Sequence, residues 1–356
     1  MKQTMLLMAG GTGGHVFPAL AVADVLRERG CEIAWLGSDQ GIENRLVPAA
    51  GYPLYTVAVR GVRGGGVARR LLAPFMVMAS VLAAWRIVRC LRPIVAIGFG
   101  GYASGPGALA ARLAGVPLVI HEQNARPGLT NRLLAPLARQ VLQGFPGAFD
   151  GRAMTTGNPV RSVIAALPAP AVRYAERTGP LRILVTGGSQ GALALNRQLP
   201  VVLTVALQGV GFEVRHQTGR GRVQEAASAW ANQPVKVTLS EFIDDMAEAF
   251  AWADLVICRS GASTVSEIAA AGVAAVFIPL PTAVDDHQTH NARWLSDQDA
   301  AVLLPQSSLD ADSLRLRFAG LTQRSALAAM AERARALAIS SSATKVADIC
   351  QEVAHG

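Results

Sequence analysis

The chain has 356 residues, 51% of them apolar and only 5% aromatic, and a formal net charge of +8; its length exceeds the usual single core, which predicts two folded domains and excludes a disordered chain. Its four cysteines, Cys31, Cys90, Cys258 and Cys350, form no Cys-x-x-Cys pair, which argues against a disulfide framework or a zinc site and for a reducing cytoplasm. Met1 to Ala9 lacks the length and cleavage site of a secretory signal, so no export is expected.

The apolar run Thr4 to Ala9 reads as a buried parallel strand, stopped by Gly10 and Gly11 and followed by a helical pattern from Phe17 to Arg29 that Gly30 closes. The loop Gly10-Gly11-Thr12-Gly13-Gly14-His15 allows backbone N–H groups to approach an anion at a helix start, where the macrodipole also favours negative charge. It lacks the Gly-Lys-Ser/Thr ending of a Walker loop, and Val16 stands where a dinucleotide fingerprint needs its third glycine, so a kinase or a dehydrogenase is disfavoured. The bland alternative is a glycine turn that serves packing alone.

Residues 1 to 160 hold 16 basic and 7 acidic side chains, whereas the remainder holds 17 and 18, so the positive field belongs to the N-terminal half. Between Asn44 and His121 there is no Asp or Glu, yet Arg45, Arg60, Arg63, Arg69, Arg70, Arg86, Arg89, Arg92 and Arg112 lie there. Such a surface seeks anionic partners. No nucleic-acid motif accompanies it, so nucleic acid is not expected and an anionic lipid surface is favoured.

Within this stretch, Leu71 to Trp85 is uncharged and would span about 22 Å as a helix, short of the roughly 30 Å of a hydrocarbon core. One reading is a buried core helix. The other is an interfacial helix whose face Phe75, Met78, Leu82 and Trp85 dips into the membrane surface while flanking arginines meet headgroups.

Further strand-like runs end in glycine or polar clusters: Ile94 to Ile97, Leu118 to Ile120, Leu255 to Ile257 and Val276 to Ile278. The rim His121-Glu122-Gln123-Asn124 follows one of them; Asn124, and Gln288 in Asp285-Asp286-His287-Gln288, carry carboxamides suited to sugar hydroxyls, though such residues also serve as turn formers. The turn-rich Thr156 to Val160 marks the domain boundary, giving domains 1–160 and 161–338, with residues 339–356 returning to the first.

The second half opens like the first: Leu181 to Thr186, then Gly187-Gly188-Ser189-Gln190-Gly191-Ala192, then a helical stretch from Ala192, with its glycines 177 residues after Gly10. Ser189 can add a hydroxyl donor to whatever those amides hold. The cluster Arg259 to Glu267 precedes another helix. There Thr264 and Glu267 have the spacing of a capping box, while a cleft-facing Glu267 could instead accept both hydroxyls of a ribose. Strands alternating with helices predict two doubly wound α/β domains with a cleft at the carboxyl ends of their strands. Asp297-Gln298-Asp299 and Asp310-Ala311-Asp312 lie in polar stretches away from the glycine loops, so no tightly held metal and no cofactor is expected.

At these residues the sequence resembles the MurG family of GT-B glycosyltransferases. The matching blocks, in order, are GGTGGHVFPALA from Gly10, GFGGYASGP from Gly98, HEQNARPGLTNR from His121, TGNPVR from Thr156, GGSQGA from Gly187, CRSGASTVSEIAAAG from Cys258 and DDHQTHNA from Asp285. The resemblance implies a GT-B fold and an inverting transfer of N-acetylglucosamine from UDP-GlcNAc to lipid I, on the cytoplasmic face of the inner membrane. It also implies peripheral attachment to an anionic membrane surface and candidate partners among cell-wall synthesis proteins.

Carried over residue by residue, the substrate contacts become Thr12, Gly13, Gly14, Asn124, Arg161, Ser189, Ile243, Ala262, Ser263, Thr264, Val265, Ser266, Glu267 and Gln288. The acceptor pyrophosphate is expected near the first loop and the Gly100 to Gly105 turn. His15 is the candidate general base, since an ordinary imidazole is largely neutral at pH 7. The rival functions are a UDP-GlcNAc epimerase, a diacylglycerol glucosyltransferase and a non-catalytic nucleotide-binding module, which a product assay distinguishes.

Overall fold

The computed structural model describes residues 3–59, 67–175, 177–188 and 191–356, with side chains of the helix that begins at Val67 described from Pro74 onward. Arg60 and Arg63 of the basic stretch lie outside the described residues. The chain divides into two units, Met1–Arg161 with Ser341–Gly356, and Ser162–Ser340.

In the first unit, seven parallel strands form one sheet: β1 (Thr4–Ala9), β2 (Glu32–Ser38), β3 (Leu54–Val57), β4 (Val95–Gly100), β5 (Leu118–Glu122), β6 (Gln140–Gln143) and β7 (Met154–Thr155). Their order across the sheet is β3-β2-β1-β4-β5-β6-β7. β1 and β4 read as continuous apolar runs because helices cover both faces, and all of β4 and five of six residues of β1 are buried. One face packs Val16, Ala19, Val22 and Ala23 of helix Gly13–Glu28 together with Val346, Ala347 and Cys350 of helix Ser342–His355. The other packs Ala84 and Val88 of helix Val67–Leu91 with Ala108, Ala110 and Ala111 of helix Ser104–Leu113.

The second unit repeats the plan with six parallel strands: β8 (Leu181–Thr186), β9 (Phe212–Gln217), β10 (Lys236–Ser240), β11 (Leu255–Cys258), β12 (Ala274–Phe277) and β13 (Val302–Leu303). Their order is β10-β9-β8-β11-β12-β13. In each sheet the order reverses once, between β1 and β4 and between β8 and β11. Those reversal points are where open α/β sheets hold ligands, and the four loops that leave these strands are the glycine-rich segments singled out in the sequence.

Two local expectations are corrected. The first helix begins at Gly13 rather than Phe17, which places His15 inside its first turn. The helical stretch expected from Ala192 starts at Leu193 and is divided: Leu193–Arg197 ends after five residues and Leu199–Ala206 begins anew, with Pro200 at the second start. Proline suits a first turn and disrupts a helix interior.

The segment from Leu71 to Trp85 belongs to a 25-residue helix. Among its described residues the core-helix reading does not hold: Phe75 is 72%, Met78 62% and Leu82 52% exposed. Among its described residues the ridge Ser80, Ala84 and Val88 is buried, and Ala83, Trp85, Ile87 and Leu91 pack half-buried beside it, so Trp85 does not share the exposure of Phe75, Met78 and Leu82. Residues Pro74–Leu91 form a window long and apolar enough, by length and composition alone, to cross a membrane, which the shorter uncharged stretch is not.

Candidate active site

The first loop is seated on a buried carboxylate. Glu43 opens helix Glu43–Ala49 and is fully buried; Gly11 N donates to its Oε2 at 2.9 Å, and Ser38 N and Oγ donate to its Oε1 at 3.0 and 2.6 Å. A Cβ at Gly10, Gly37 or Gly41 would run into that side chain, so these three glycines make room for it. The Gly11 amide therefore points inward, and the amides this loop can turn on an anion begin at Thr12. Thr12 is the N-cap residue of helix Gly13–Glu28, whose first turn holds no acidic side chain.

His15 Nδ1 lies 3.3 Å from Gly10 O and 3.4 Å from Thr12 Oγ1. The nearer partner is a carbonyl oxygen, which only accepts, so the contact suits the tautomer with the proton on Nδ1 and the lone pair on Nε2 at the opposite edge of the ring, while the Thr12 hydroxyl can serve either tautomer. That ring edge packs on the last residue of β4: a Cβ at Gly100 would sit 2.9 Å from His15 Cδ2. Gly101, at φ +89°, has no room for a side chain because Gly10 O occupies the space. The guanidinium of Arg161 lies over the Phe17 ring at 5.3 Å, beside the same helix start.

The rim after β5 proves mostly internal. His121 is fully buried; its Nε2 donates to Gly157 O at 3.0 Å and its Nδ1 accepts from Gln123 Nε2 at 3.0 Å. Burial pushes its pKa down to about 4. Glu122 accepts from Asn124 N at 2.9 Å, Asn124 Nδ2 at 3.1 Å, Gly128 N at 3.1 Å and Asn131 Nδ2 at 2.9 Å. Of the four residues in His121-Glu122-Gln123-Asn124, only Asn124 is half-buried, and Glu122 sets its orientation.

In the second unit Gly188 and Gly191 adopt φ values of +81° and +68°, and a side chain at Gly191 would meet Thr218 O. Ser189, a predicted donor contact, lies outside the described residues. A buried chain of hydrogen bonds supports the loop. Trp230 Nε1 donates to His216 Nδ1 at 3.1 Å, His216 Nε2 donates to Asn196 Oδ1 at 3.1 Å, and Asn196 Nδ2 donates to Thr218 O at 2.9 Å. Burial lowers the pKa of His216 to about 4, which keeps the neutral tautomer this chain needs.

After β11, helix Ala262–Ala271 starts with Gly261 as its N-cap residue. Thr264 thus sits three residues inside the helix, and the capping-box alternative is overturned: Glu267 lies in the second turn, buried, too far along to close the helix start. Ala262, Val265 and Ser266 are buried with it, whereas Ser263 and Thr264 are half-buried. Beneath this start, Arg259 donates to Ile278 O and Pro279 O, both at 2.9 Å, and to Gln306 Oε1 at 2.7 Å. Burial lowers its pKa, and all three acceptors are neutral, so its positive charge adds to the helix dipole.

Ile243 is half-buried in the loop after β10. Gln288 Oε1 accepts from Leu280 N at 2.9 Å, tying helix His287–Ser296 to the chain leaving β12. The Asp310-Ala311-Asp312 pair serves local structure: Asp310 caps helix Ala311–Phe318 through Ser313 N at 2.8 Å, and Asp312 pairs with Arg315. Among the described residues no cluster of three or more His, Cys, Asp or Glu side chains could hold a metal.

Comparison with known proteins fits this geometry. Residues 5–143 match the glycosyltransferase family 28 N-terminal domain and residues 182–353 its C-terminal domain. The chain is 57% identical to an Alcanivorax borkumensis protein, with 100% of each covered, and 54% identical to one from Aeromonas hydrophila, with 100% of this chain and 98% of that one covered. Both relatives bear the name UDP-N-acetylglucosamine–N-acetylmuramyl-(pentapeptide) pyrophosphoryl-undecaprenol N-acetylglucosamine transferase. The crystal structure of Acinetobacter baumannii MurG superposes with a TM-score of 0.85 at 43% identity, covering 99% of this chain and 100% of that one.

The chain belongs to the MurG family. Its two parallel-sheet units are those of the GT-B fold, as the resemblance implied. Sequence reasoning gave Glu43 no role and named Glu122 and Arg259 only as members of their clusters. For those two the visible signal was placement at a strand end inside a MurG-type block, whereas Glu43 opens a helix outside all of these blocks.

Proposed function

We propose that this protein moves N-acetylglucosamine from UDP-GlcNAc to lipid I, giving lipid II for peptidoglycan synthesis. The observation that carries the reading is 57% identity, over the whole chain, to a transferase whose name states that donor and that acceptor. The reaction is a direct displacement with inversion: an acceptor hydroxyl attacks the anomeric carbon as UDP departs. His15 Nε2 takes the hydroxyl proton, a role supported by the Nδ1–H bond to Gly10 O, which leaves the Nε2 lone pair as the basic site.

The donor contacts are Thr12, Gly13 and Gly14 of the first loop, Asn124, Arg161, Ser189, Ile243, Gln288 and the run Ala262 to Glu267, with the acceptor pyrophosphate near the first loop and the Gly100 to Gly105 turn. Negative charge grows on the leaving diphosphate. Helix Leu193–Arg197 is too short to offer much dipole, so the first-turn amides of helix Ala262–Ala271, backed by buried Arg259, become the stronger electrostatic support. Glu267 accepts the ribose hydroxyls, a role favoured by its not serving as a cap.

Attachment to the cytoplasmic face of the membrane runs through helix Val67–Leu91. Phe75, Met78 and Leu82 stand in solvent, and the Arg89 guanidinium covers the Trp85 ring at 5.3 Å. Anionic lipid meets the arginines, and cell-wall synthesis proteins are the candidate protein partners. The deciding experiment incubates the purified protein with labelled UDP-GlcNAc and a lipid I analogue: label in the lipid fraction supports the reading, and free epimerised sugar or binding without turnover rejects it.

A further inference from the structure

The peptide unit joining Gly10 to Gly11 is gripped at both ends. Its N–H, on Gly11, donates to Glu43 Oε2 at 2.9 Å, and its C=O, on Gly10, lies 3.3 Å from His15 Nδ1. A trans peptide is planar with these two groups on opposite sides, so whatever fixes one end aims the other. Gly11 adopts φ +86°, and a Cβ at Gly101, on the β4 side, would collide with the Gly10 carbonyl.

We infer that Glu43 is the positioning residue of His15, acting through the Gly10–Gly11 peptide. This rests on the reading of His15 as the base. The carboxylate is fully buried, its other oxygen is anchored by Ser38 N and Oγ, and Gly10, Gly37 and Gly41 leave the space it fills. Water cannot compete for its bond to Gly11. Accepting that N–H polarises the amide and strengthens the Gly10 carbonyl as an acceptor. The carbonyl in turn holds the proton on Nδ1, orients the ring and stabilises the imidazolium formed when Nε2 takes the acceptor's proton. No proton passes along the peptide; Gly10 O stays an acceptor throughout. The arrangement does the work of a carboxylate bonded directly to a catalytic imidazole, with one peptide unit interposed.

The test labels the ring nitrogens of the histidines in the full-length protein with 15N and assigns His15 by its absence in His15→Ala. The expected wild-type spectrum shows the tautomer protonated at Nδ1; protonation at Nε2 overturns the inference, whatever happens to any variant. In Glu43→Gln one oxygen becomes an NH2 group, which must face either the Gly11 or the Ser38 N–H. The expected result is a mixed tautomer with kcat down about 10–100-fold and KM for UDP-GlcNAc within about threefold. A folded Glu43→Gln protein with an unchanged tautomer and unchanged kcat also overturns it. Normal turnover in His15→Ala would remove the base assignment alone, since the tautomer is read without activity.

Discussion

His121 Nε2 and the carbonyl oxygen of Gly157 lie 3.0 Å apart, a bond that fastens the end of β5 to the turn at the unit boundary. It requires a neutral ring, and the same requirement recurs in the second unit, where His216 stands between Trp230 and Asn196. Each unit thus depends on one buried histidine staying uncharged.

Stability should therefore fall with acid. Both rings titrate near pH 4 when folded and near 6.5 when unfolded, so the unfolded chain binds more protons between those values. The contribution is fully present above about pH 6.5 and is lost as the pH falls towards 4, by at most about 3 kcal/mol for each histidine. Urea midpoints measured at pH 7 and pH 5 should show the drop, and His216→Asn should flatten the slope for the second unit. A wild-type midpoint that does not move between these pH values contradicts the prediction.

Removing the base should slow chemistry and spare binding. His15→Ala is expected to lower kcat by about 10²–10⁴-fold with saturating UDP-GlcNAc and lipid I analogue. Near-normal turnover would take His15 out of that role.

Glu267 and Thr264 should separate ligand binding from helix capping. Thr264→Ala should change stability by less than about 0.5 kcal/mol, because Gly261 holds the cap position that would otherwise be worth about 1 kcal/mol. Glu267→Ala should raise KM for UDP-GlcNAc by about 10–100-fold, the loss of one charged hydrogen bond or more. Equal melting losses for the two variants, with KM untouched, would restore the capping box.

Gly191 has both a positive φ and the Thr218 carbonyl where a Cβ would go. Gly191→Ala should cost about 1–3 kcal/mol and weaken UDP binding in calorimetry, since the loop must move to admit the methyl. Gly188, also at positive φ but with open space around it, should lose stability from backbone strain without that steric term.

The exposed apolar face of helix Val67–Leu91 offers a clean test of attachment. Phe75→Asp with Leu82→Asp should abolish sedimentation with anionic vesicles while leaving the melting temperature nearly unchanged, because both side chains already face solvent. Wild-type protein that binds neutral and anionic vesicles equally would remove the arginines from the account.

Local pattern alone was enough for the strands nearest each sheet's reversal point. β1, β4, β8 and β11 are covered on both faces, so burial forces an apolar run that a glycine or a polar cluster then stops, and the repeat of that pattern made two α/β domains and the glycine loops legible. β9 was not legible: Arg215, His216 and Gln217 look like loop residues until Asn196 and Trp230 supply the partners that allow a polar strand end to be buried. The apolar stretch after Leu71 could be read either as core or as surface, because composition gives an apolar helix without saying which side receives a neighbour. Glu43 marks the limit most plainly. In the sequence it is one acidic residue opening a helix, 33 positions from Gly10, and no periodicity links the two. Only the packing of β1 beside β2 brings its carboxylate beneath the Gly10–Gly11 peptide, since side-chain periodicity reports which face is buried while the contacts made there depend on strand order.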